Sequence, residues 1–564
     1  LSRHTFAEGP QMTNEVHDPT DHSKRRAKAA LPERADVAIV GAGLGGLMSA
    51  AIMAKQGLKV AVLDSHYVAG GCATQFRRRA DAGMFNFDVG LHYIGECHAQ
   101  GKIPAWFKAL GAEPLAFREL DPDGFDELIM PGVRFRVPKG IDRYRDRLVE
   151  TFPSERKGID RYIRFLNEQR HMVDVTRNGT KAPDARTAIE LVMRGRLFGR
   201  YMKSSAADLL DSCTKNMELR AVLLGEHGDY GLPPSRVAAV LHAGLVLHYL
   251  DGAYYPVGGG QTIADRLAEL IESAGGGVYL RRPVESILVR GGRAVGVRTA
   301  GTRAKPAEEL LADVVISNAD IKKTFLELLP ADAVPAEWKA KAKRWEMGGA
   351  LFMTCVGVRG DLRELGVRDA NYWQSDSADV EKMYAEINTR DDLPPTRGAF
   401  ITSASLKDPD SPGHAPEGYQ TIEIMSLVPG EATAWSVADD EIDAWVYKHN
   451  EAYEAKKQRV EDDMLRRAEE LFPGFRERVV YVESASPVTQ SRFTRASGGT
   501  SYGLAATPEQ YMGNRPSARS VIPGFYLAGA STRSGHGIIG ALTSGVQAAR
   551  SVLRDKGKEM PAGF

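Results

Sequence analysis

The sequence predicts an α/β protein in which a parallel, nucleotide-binding sheet is interleaved along the chain with a second domain of mixed helix and strand. Three observations predict it. A strand, a glycine-rich turn, a helix and a second strand ending in an acid occupy residues 36–64. Strand, turn and helix signals of the same kind return near 252–330 and again from residue 524 onward. Between these blocks the chain changes character twice, the layout expected when two domains each cross the chain several times.

The first 34 residues are polar, carry charges of both signs and lack an apolar run. They read as a disordered tail, neither a signal peptide nor a membrane span. The chain opens on Leu1, and Met12 is the expected natural start. Val37-Ala38-Ile39-Val40 then makes a short apolar strand, followed without a gap by Gly41-Ala42-Gly43-Leu44-Gly45-Gly46. Helix-compatible residues run from Leu47 to Lys55, Gly57 ends that helix, and Lys59 to Leu63 forms a second strand with Asp64 at its carboxyl end. This is the G-x-G-x-x-G fingerprint in the context that gives it meaning. Gly41 permits the tight turn, Gly43 lets a pyrophosphate approach the backbone, and Gly46 lets helix and strand pack closely. The helix N-terminus offers unpaired N–H groups and a favourable dipole to the phosphates. Asp64, about 20 residues further on, is placed with Ser65 to meet the ribose.

From 101 to 250 the segments are charged and helix-compatible, with few strand signals. A third region opens at Gly252 and Tyr254-Tyr255-Pro256-Val257-Gly258-Gly259, and a helix is expected from Gln261 to Ser273. Strands follow at Val284–Val289 and Ala294–Arg298, and Asp313–Asn318 reads as a buried parallel strand. Residues 335–490 mix both signals, with one helix expected from about Asp439 to Phe472. The chain then returns to strand, turn and helix at Tyr526-Leu527-Ala528-Gly529 and Gly537-Ile538-Ile539-Gly540. The nucleotide domain is accordingly assigned to 35–100, 252–330 and 495–553, and the substrate or lid domain to 101–251 and 331–494.

Composition limits the function classes. At 564 residues the chain is too long for one core. Hydrophobic residues at 43% and charged residues at 26% describe an ordinary globular protein, and a formal net charge of zero gives no global sign of nucleic acid. The four cysteines, Cys72, Cys97, Cys213 and Cys355, have neither disulfide-framework nor metal-ligand spacing, which fits a reducing, cytoplasmic setting and no metal. No stretch offers about 18 uninterrupted apolar residues.

Four blocks carry a family resemblance. They are the N-terminal fingerprint with Gly70-Gly71-Cys72; Phe87-Asp88-Val89-Gly90-Leu91-His92-Tyr93-Ile94-Gly95; His248-Tyr249 with Gly252 and the Tyr255-Pro256 turn; and Gly503 with Tyr526-Leu527-Ala528-Gly529 and Gly537 to Leu542. Together they resemble the flavin-dependent phytoene desaturase-like superfamily, and within it the retinol saturase branch, with carotenoid isomerases nearby. The second and fourth blocks are the specific ones. The resemblance implies a Rossmann-like FAD-binding domain of the amine oxidase and phytoene desaturase type, interleaved with a mixed α+β substrate domain. It implies FAD as the tightly held cofactor, and the sequence agrees, since only one dinucleotide fingerprint is present. Gly70, Gly71 and Cys72 are implied to pass the flavin diphosphate and ribityl chain, and Val284 to give main-chain contacts to the adenine. Gly529 and Ala530 form the phosphate-proximal turn, where many relatives carry an acid in place of Ala530. Gly537, Ile538 and Ile539 would aim helix N–H groups at the flavin pyrimidine.

The activity the resemblance implies is addition or removal of hydrogen across a carbon–carbon double bond of a long lipophilic molecule, such as a carotenoid, retinoid or unsaturated acyl chain. Both directions fit, as does redox-neutral cis–trans isomerisation. A flavin amine oxidase and a non-catalytic flavoprotein are the rivals. With no Ser-His-Asp set, metal cluster or obvious carboxylate pair in view, alignment of flavin and substrate would contribute most. His92, Tyr93 and His248 are the candidates for moving a proton, and Tyr249, Tyr255, Arg533 and His536 for the pocket wall. Cys72 reads as packing, with Cys97 its only candidate thiol partner. Residues 191–203 mix bulky apolar side chains with four cations, suiting either a peripheral membrane contact or a lid helix with a basic edge.

Overall fold

The computed structural model describes residues 19–178, 193–302, 305–387 and 393–564. Two seven-stranded sheets organise them. The first runs Val284–Arg290, Arg293–Thr299, Glu309–Ser317, Arg34–Val40, Val60–Leu63 and Gly277–Tyr279, with Phe525–Leu527 added to Glu309–Ser317. Its centre is parallel, Val37 pairing with Val60 on one side and Val314 on the other. The apolar run at 37–40 is what a strand buried on both faces requires. Val37 and Ile39 pack into one core while Ala38 and Val40 pack into another, so the period of two divides a single strand between two layers.

Helices Leu44–Lys55, Gln261–Ser273 and Gly537–Asp555 cover one face. Gln261–Ser273 lies where the sequence places it, and buries Ile263, Ala264, Leu267, Ala268 and Ile271 at helical spacing. Leu44–Lys55 meets Gly537–Asp555 almost backbone to backbone. A Cβ on Gly545 would lie 2.4 Å from the carbonyl oxygen of Gly45, and one on Gly45 would lie 2.7 Å from Ser544 Oγ.

The second sheet runs Val479–Ala485, Ala350–Arg359, Tyr419–Val428, Gly398–Thr402, Asn371–Ser375, Asp126–Met130 and Val133–Val137. Along Ala350–Arg359, Phe352, Val356 and Val358 face a core closed by Glu451–Leu471, whereas Met353 and Cys355 face the opposite way, toward the interior described below. Arg467 fastens that helix: it is buried, and its two terminal nitrogens donate to the Asp376 carboxylate at 2.8 and 2.7 Å. Helices Arg156–Asn178 and Ala239–Leu250 complete this half.

Three expectations are corrected. The helix expected over 439–472 is broken: Asp439–Ala444 stops at Trp445, which has φ of 64°, and a new helix starts after Asn450, whose Oδ1 accepts from the N–H of Tyr453 at 3.1 Å. The region 101–250 includes the hairpin Asp126–Met130 and Val133–Val137, which extends the second sheet. The tail is not disordered throughout, for Pro19–Lys28 is helical and Arg26 is buried against Glu272 at 2.7 Å. Leu191 and Val192 lie outside the described residues. Of the remainder of 191–203, Leu197, Phe198 and Tyr201 are buried and Met193 is exposed. No helix among the described residues is long and apolar enough to cross a membrane.

Gly545→Val is expected to force the two glycine helices apart and to cost roughly 1–3 kcal/mol of stability. Equilibrium urea unfolding of the flavin-loaded protein checks this, and unchanged unfolding would show that the contact can relax without penalty.

Candidate functional site

One cavity of about 1420 Å³ lies between the two sheets and gathers most of the sequence candidates. Gly41, Gly43, Leu44, Gly45, Asp64, Ser65, Gly70, Gly71, Cys72, Val284, Gly529, Ala530, Gly537, Ile538 and Ile539 all line it, as do His92, Tyr93 and His248. Gly46 does not. It sits beneath the turn, where a Cβ would lie 2.2 Å from the carbonyl oxygen of Gly41, so its part is the close packing of helix on strand.

The glycine end is a cradle. Gly41 has φ of +99°, and Gly70 N–H donates to Ala42 O at 2.8 Å, drawing the second glycine pair against the first turn. A Cβ on Gly71 would lie 3.1 Å from Gly43 Cα. Gly43 caps the helix Leu44–Lys55 without a side-chain hydrogen bond, leaving the first N–H groups for an anion. Asp64 accepts from the N–H of Ala42 and of His66, both at 2.7 Å, which aligns its carboxylate beside the turn. The helix Gly537–Asp555 brings a second N-terminus free of a side-chain cap, with His536 at the position before it making no such bond. Ser544 Oγ accepts from Gly529 N–H at 2.7 Å and ties this helix to the preceding turn. Two bare helix N-termini and a floor that tolerates no Cβ are what a dinucleotide diphosphate and an electron-rich ring require, and the residues present fit FAD.

Beyond the cradle the walls are aromatic. Tyr93 stacks on Tyr249 with ring centroids 4.1 Å apart and planes 6° from parallel; Trp373 and Phe400 meet at 4.5 Å; Tyr502 and His536 at 5.4 Å. Met353 and Met425, from the inner face of the second sheet, extend the lining. Burial, with the nearby Lys407 charge second, lowers the His92 pKa to about 3, so the ring is neutral, and its Nε2 has no hydrogen-bond partner. Lys407 is off the cavity wall and donates to the His92 carbonyl at 2.6 Å. His248 faces the cavity but its Nε2 accepts from Gly95 N–H at 2.9 Å, and burial lowers its pKa to about 4. A neutral acceptor already holding a loop has no proton to give there.

Other expectations change. Tyr255 is off the cavity and donates its hydroxyl to Asp88, and Arg533 is off it too, held by backbone carbonyls of Arg515 and Gly513. Cys72 takes a hydrogen bond from Gln490 and Cys97 donates to Gly95 O; burial pushes both thiols up, away from reactive thiolate. A carboxylate pair does exist. Tyr93 Oη lies 3.2 Å from Asp126 Oδ2 and 3.1 Å from Asp229 Oδ2. Reading the sequence missed it because Asp126 comes from a sheet strand and Asp229 from a turn, with no local motif at either. In the sequence Asn318 reads only as a strand end. It lines the cavity, donates to Gly41 O at 3.3 Å and stands beside Gly43, Gly45 and Gly529.

The fold and the cradle define a flavoprotein, and sequence comparison agrees: the profile of the flavin containing amine oxidoreductase family matches residues 44–553, and the chain belongs to that family. Among its relatives is the all-trans-retinol 13,14-reductase of Danio rerio, 32% identical over 490 residues that make up 84% of this chain and 78% of the relative. A prolycopene isomerase from an Oncidium hybrid cultivar is 27% identical, covering 94% of this chain and 86% of its own. A solved putrescine oxidase redesigned in cofactor binding shares the fold, with a TM-score of 0.57 at 16% identity over 92% of this chain and 99% of that one.

A side chain on Gly43 would meet Asn318 Nδ2 at 2.8 Å and close the cradle. Gly43→Val is therefore expected to purify folded but colourless, with flavin affinity reduced at least about tenfold, ~1.4 kcal/mol. Flavin absorbance per protein, with circular dichroism for the fold, measures it; full flavin occupancy would misplace the diphosphate.

Proposed function

We propose that this FAD oxidoreductase reduces one carbon–carbon double bond of a long lipophilic polyene. The observation that carries the reading is the continuity of a single cavity, which joins the glycine cradle to a chamber of aromatic and methionine side chains. Likeness to all-trans-retinol 13,14-reductases supports a polyene substrate and the saturating direction.

When bound, FAD supplies the two-electron chemistry, as hydride given or taken. The protein's share is positioning and proton management. In this reading Gly41, Gly43, Gly45, Gly70, Gly71 and Gly529 admit the diphosphate to backbone N–H groups, Asp64 and Ser65 meet the ribose, and Val284 borders the adenine. The N-terminus of Gly537–Asp555 stabilises negative charge on the reduced ring. Tyr93, Tyr249, Trp373 and Phe400 align a flat conjugated chain and exclude water. Neutral His92 contacts that chain through the edge of its ring.

Likeness to prolycopene isomerases supports a second reading, isomerisation without net redox. Anaerobic spectroscopy separates the two. Reduced protein mixed with all-trans-retinol is expected to reoxidise and to yield a product heavier by two hydrogens. An isomerised polyene of unchanged mass, with the flavin still reduced, would make the protein an isomerase. Bleaching of oxidised flavin by a less conjugated lipid would make it a desaturase.

His92→Ala is expected to keep its flavin and to lose turnover by about tenfold or more. Steady-state rates on the converted polyene test this, and an unchanged rate would reduce the ring to packing.

A further inference from the structure

Adding hydrogen across a double bond takes a proton as well as a hydride, and the aromatic chamber stands in front of an unusual source of one. We propose that Asp126, Asp229 and Glu226 form a buried proton store that feeds the substrate side of the cavity through the hydroxyl of Tyr93. This rests on the reading of the protein as a double-bond reductase.

Valence makes the first argument. The Tyr93 hydroxyl has one hydrogen, yet it lies within hydrogen-bond range of a carboxyl oxygen of Asp126 at 3.2 Å and of Asp229 at 3.1 Å. It donates to one of them, so the other contact is satisfied only if that carboxyl carries a proton and donates back. Glu226 makes the second argument. It is buried, its Oε2 has no hydrogen-bond partner, and the neighbouring charges of Asp126 and Asp229 add to burial in favouring its protonated form. Asn371, a neutral donor, reaches the group through Nδ2 to Asp126 at 2.8 Å. Lys407 is the cation that acts on Asp126, and its ammonium is taken by His92 O and Thr402 Oγ1.

Position makes the third. Tyr93 and Asp229 are on the cavity wall, while Asp126 and Glu226 stand behind them, so the set has a delivery side and a reserve side. Asp229 adjoins the cofactor end, since its backbone carbonyl lies 3.1 Å from Nε2 of His536, the residue just before Gly537–Asp555. Burial pushes the Asp126 carboxyl up to about 6 and Asp229 up to about 7, and drives Glu226 up as well, in keeping with a proton retained near neutral pH. The phenol of Tyr93 alone, pushed upward by the same burial, needs such a partner to be resupplied.

The step balances as follows. With FAD bound, the flavin would supply the hydride that bonds to one alkene carbon, and the alkene electron pair forms the second C–H bond with the Tyr93 proton. The phenolic O–H breaks, and the proton held by the carboxyl group moves to the phenolic oxygen. A carboxylate remains and is reloaded from solvent, while an external two-electron donor, dithionite in the test, returns the flavin to its reduced state. In desaturation the same path runs backward and removes the proton.

Infrared spectroscopy of the flavin-loaded protein at neutral pH reads the store without any substrate. A carboxylic-acid carbonyl band that shifts in heavy water is expected in the wild type, and is expected to be lost or displaced in Asp229→Asn and Asp126→Asn. In single turnovers of the dithionite-reduced protein with all-trans-retinol, Tyr93→Phe is expected to slow flavin reoxidation about a hundredfold or more while keeping full flavin content. Asp229→Asn is expected to slow it similarly and Asp229→Glu to restore part of the rate, which loss of packing alone would not produce. Absence of the acid band in the wild type overturns the store, and wild-type turnover in Tyr93→Phe overturns the delivery. If the wild type converts no polyene, the reductase reading fails. The infrared comparison then decides the store alone, the band and its loss in Asp229→Asn supporting it and its absence overturning it.

Discussion

The site depends on one near backbone-to-backbone approach of two helices. The helix Leu44–Lys55 and the helix Gly537–Asp555 meet where Gly45, Ser544 and Gly545 leave no room for a larger side chain. That contact sets the distance between two uncapped N-termini, one serving the diphosphate turn and the other the flavin ring. Ser544 carries the constraint onward. Its hydroxyl accepts from Gly529 N–H, so the turn after Phe525–Leu527 is positioned by the same helix face that touches Gly45. Asn318, at the end of the central strand, fills the remaining space between the two turns.

The second sheet answers to this frame. Its outer face is an ordinary core, closed by Glu451–Leu471 and fastened by Arg467 on Asp376. Its inner face is spent on the cavity, through Met353, Trp373, Phe400 and Met425. Asp126, buried in that sheet, keeps its proton more readily than a free carboxyl, because desolvation outweighs the Lys407 ammonium and the hydrogen bonds it accepts. A wall that is apolar enough to hold a polyene is for that reason also a wall that holds protons.

What was legible in the sequence was local. The run Val37 to Val40, the glycines after it and Asp64 announce a strand, turn and helix within thirty or so residues, where each signal reinforces the next. Gln261–Ser273 was equally plain, its apolar residues keeping a helical period between a glycine turn and a small-residue end. The break between Ala444 and Glu451 was not, because Trp445 adopts a left-handed conformation that its residue type does not favour, and the capping Asn450 lies inside an otherwise helical pattern. The inward turn of Leu197, Phe198 and Tyr201 was open for a related reason: pattern tells which face is apolar, not what covers it. Tyr93, Asp126 and the Glu226–Asp229 turn come from three separated stretches, and only the fold brings them together.

The interleaving has a consequence for biosynthesis. The fingerprint turn and its helix leave the ribosome long before the strand Phe525–Leu527 and the helix Gly537–Asp555 that finish the cradle. At ordinary elongation rates that interval is roughly tens of seconds. Throughout it the first sheet lacks a strand and Leu44–Lys55 lacks its partner, leaving exposed the glycine face that Gly545 will cover. Cofactor capture is therefore a late event, completed only once Gly537–Asp555 has emerged.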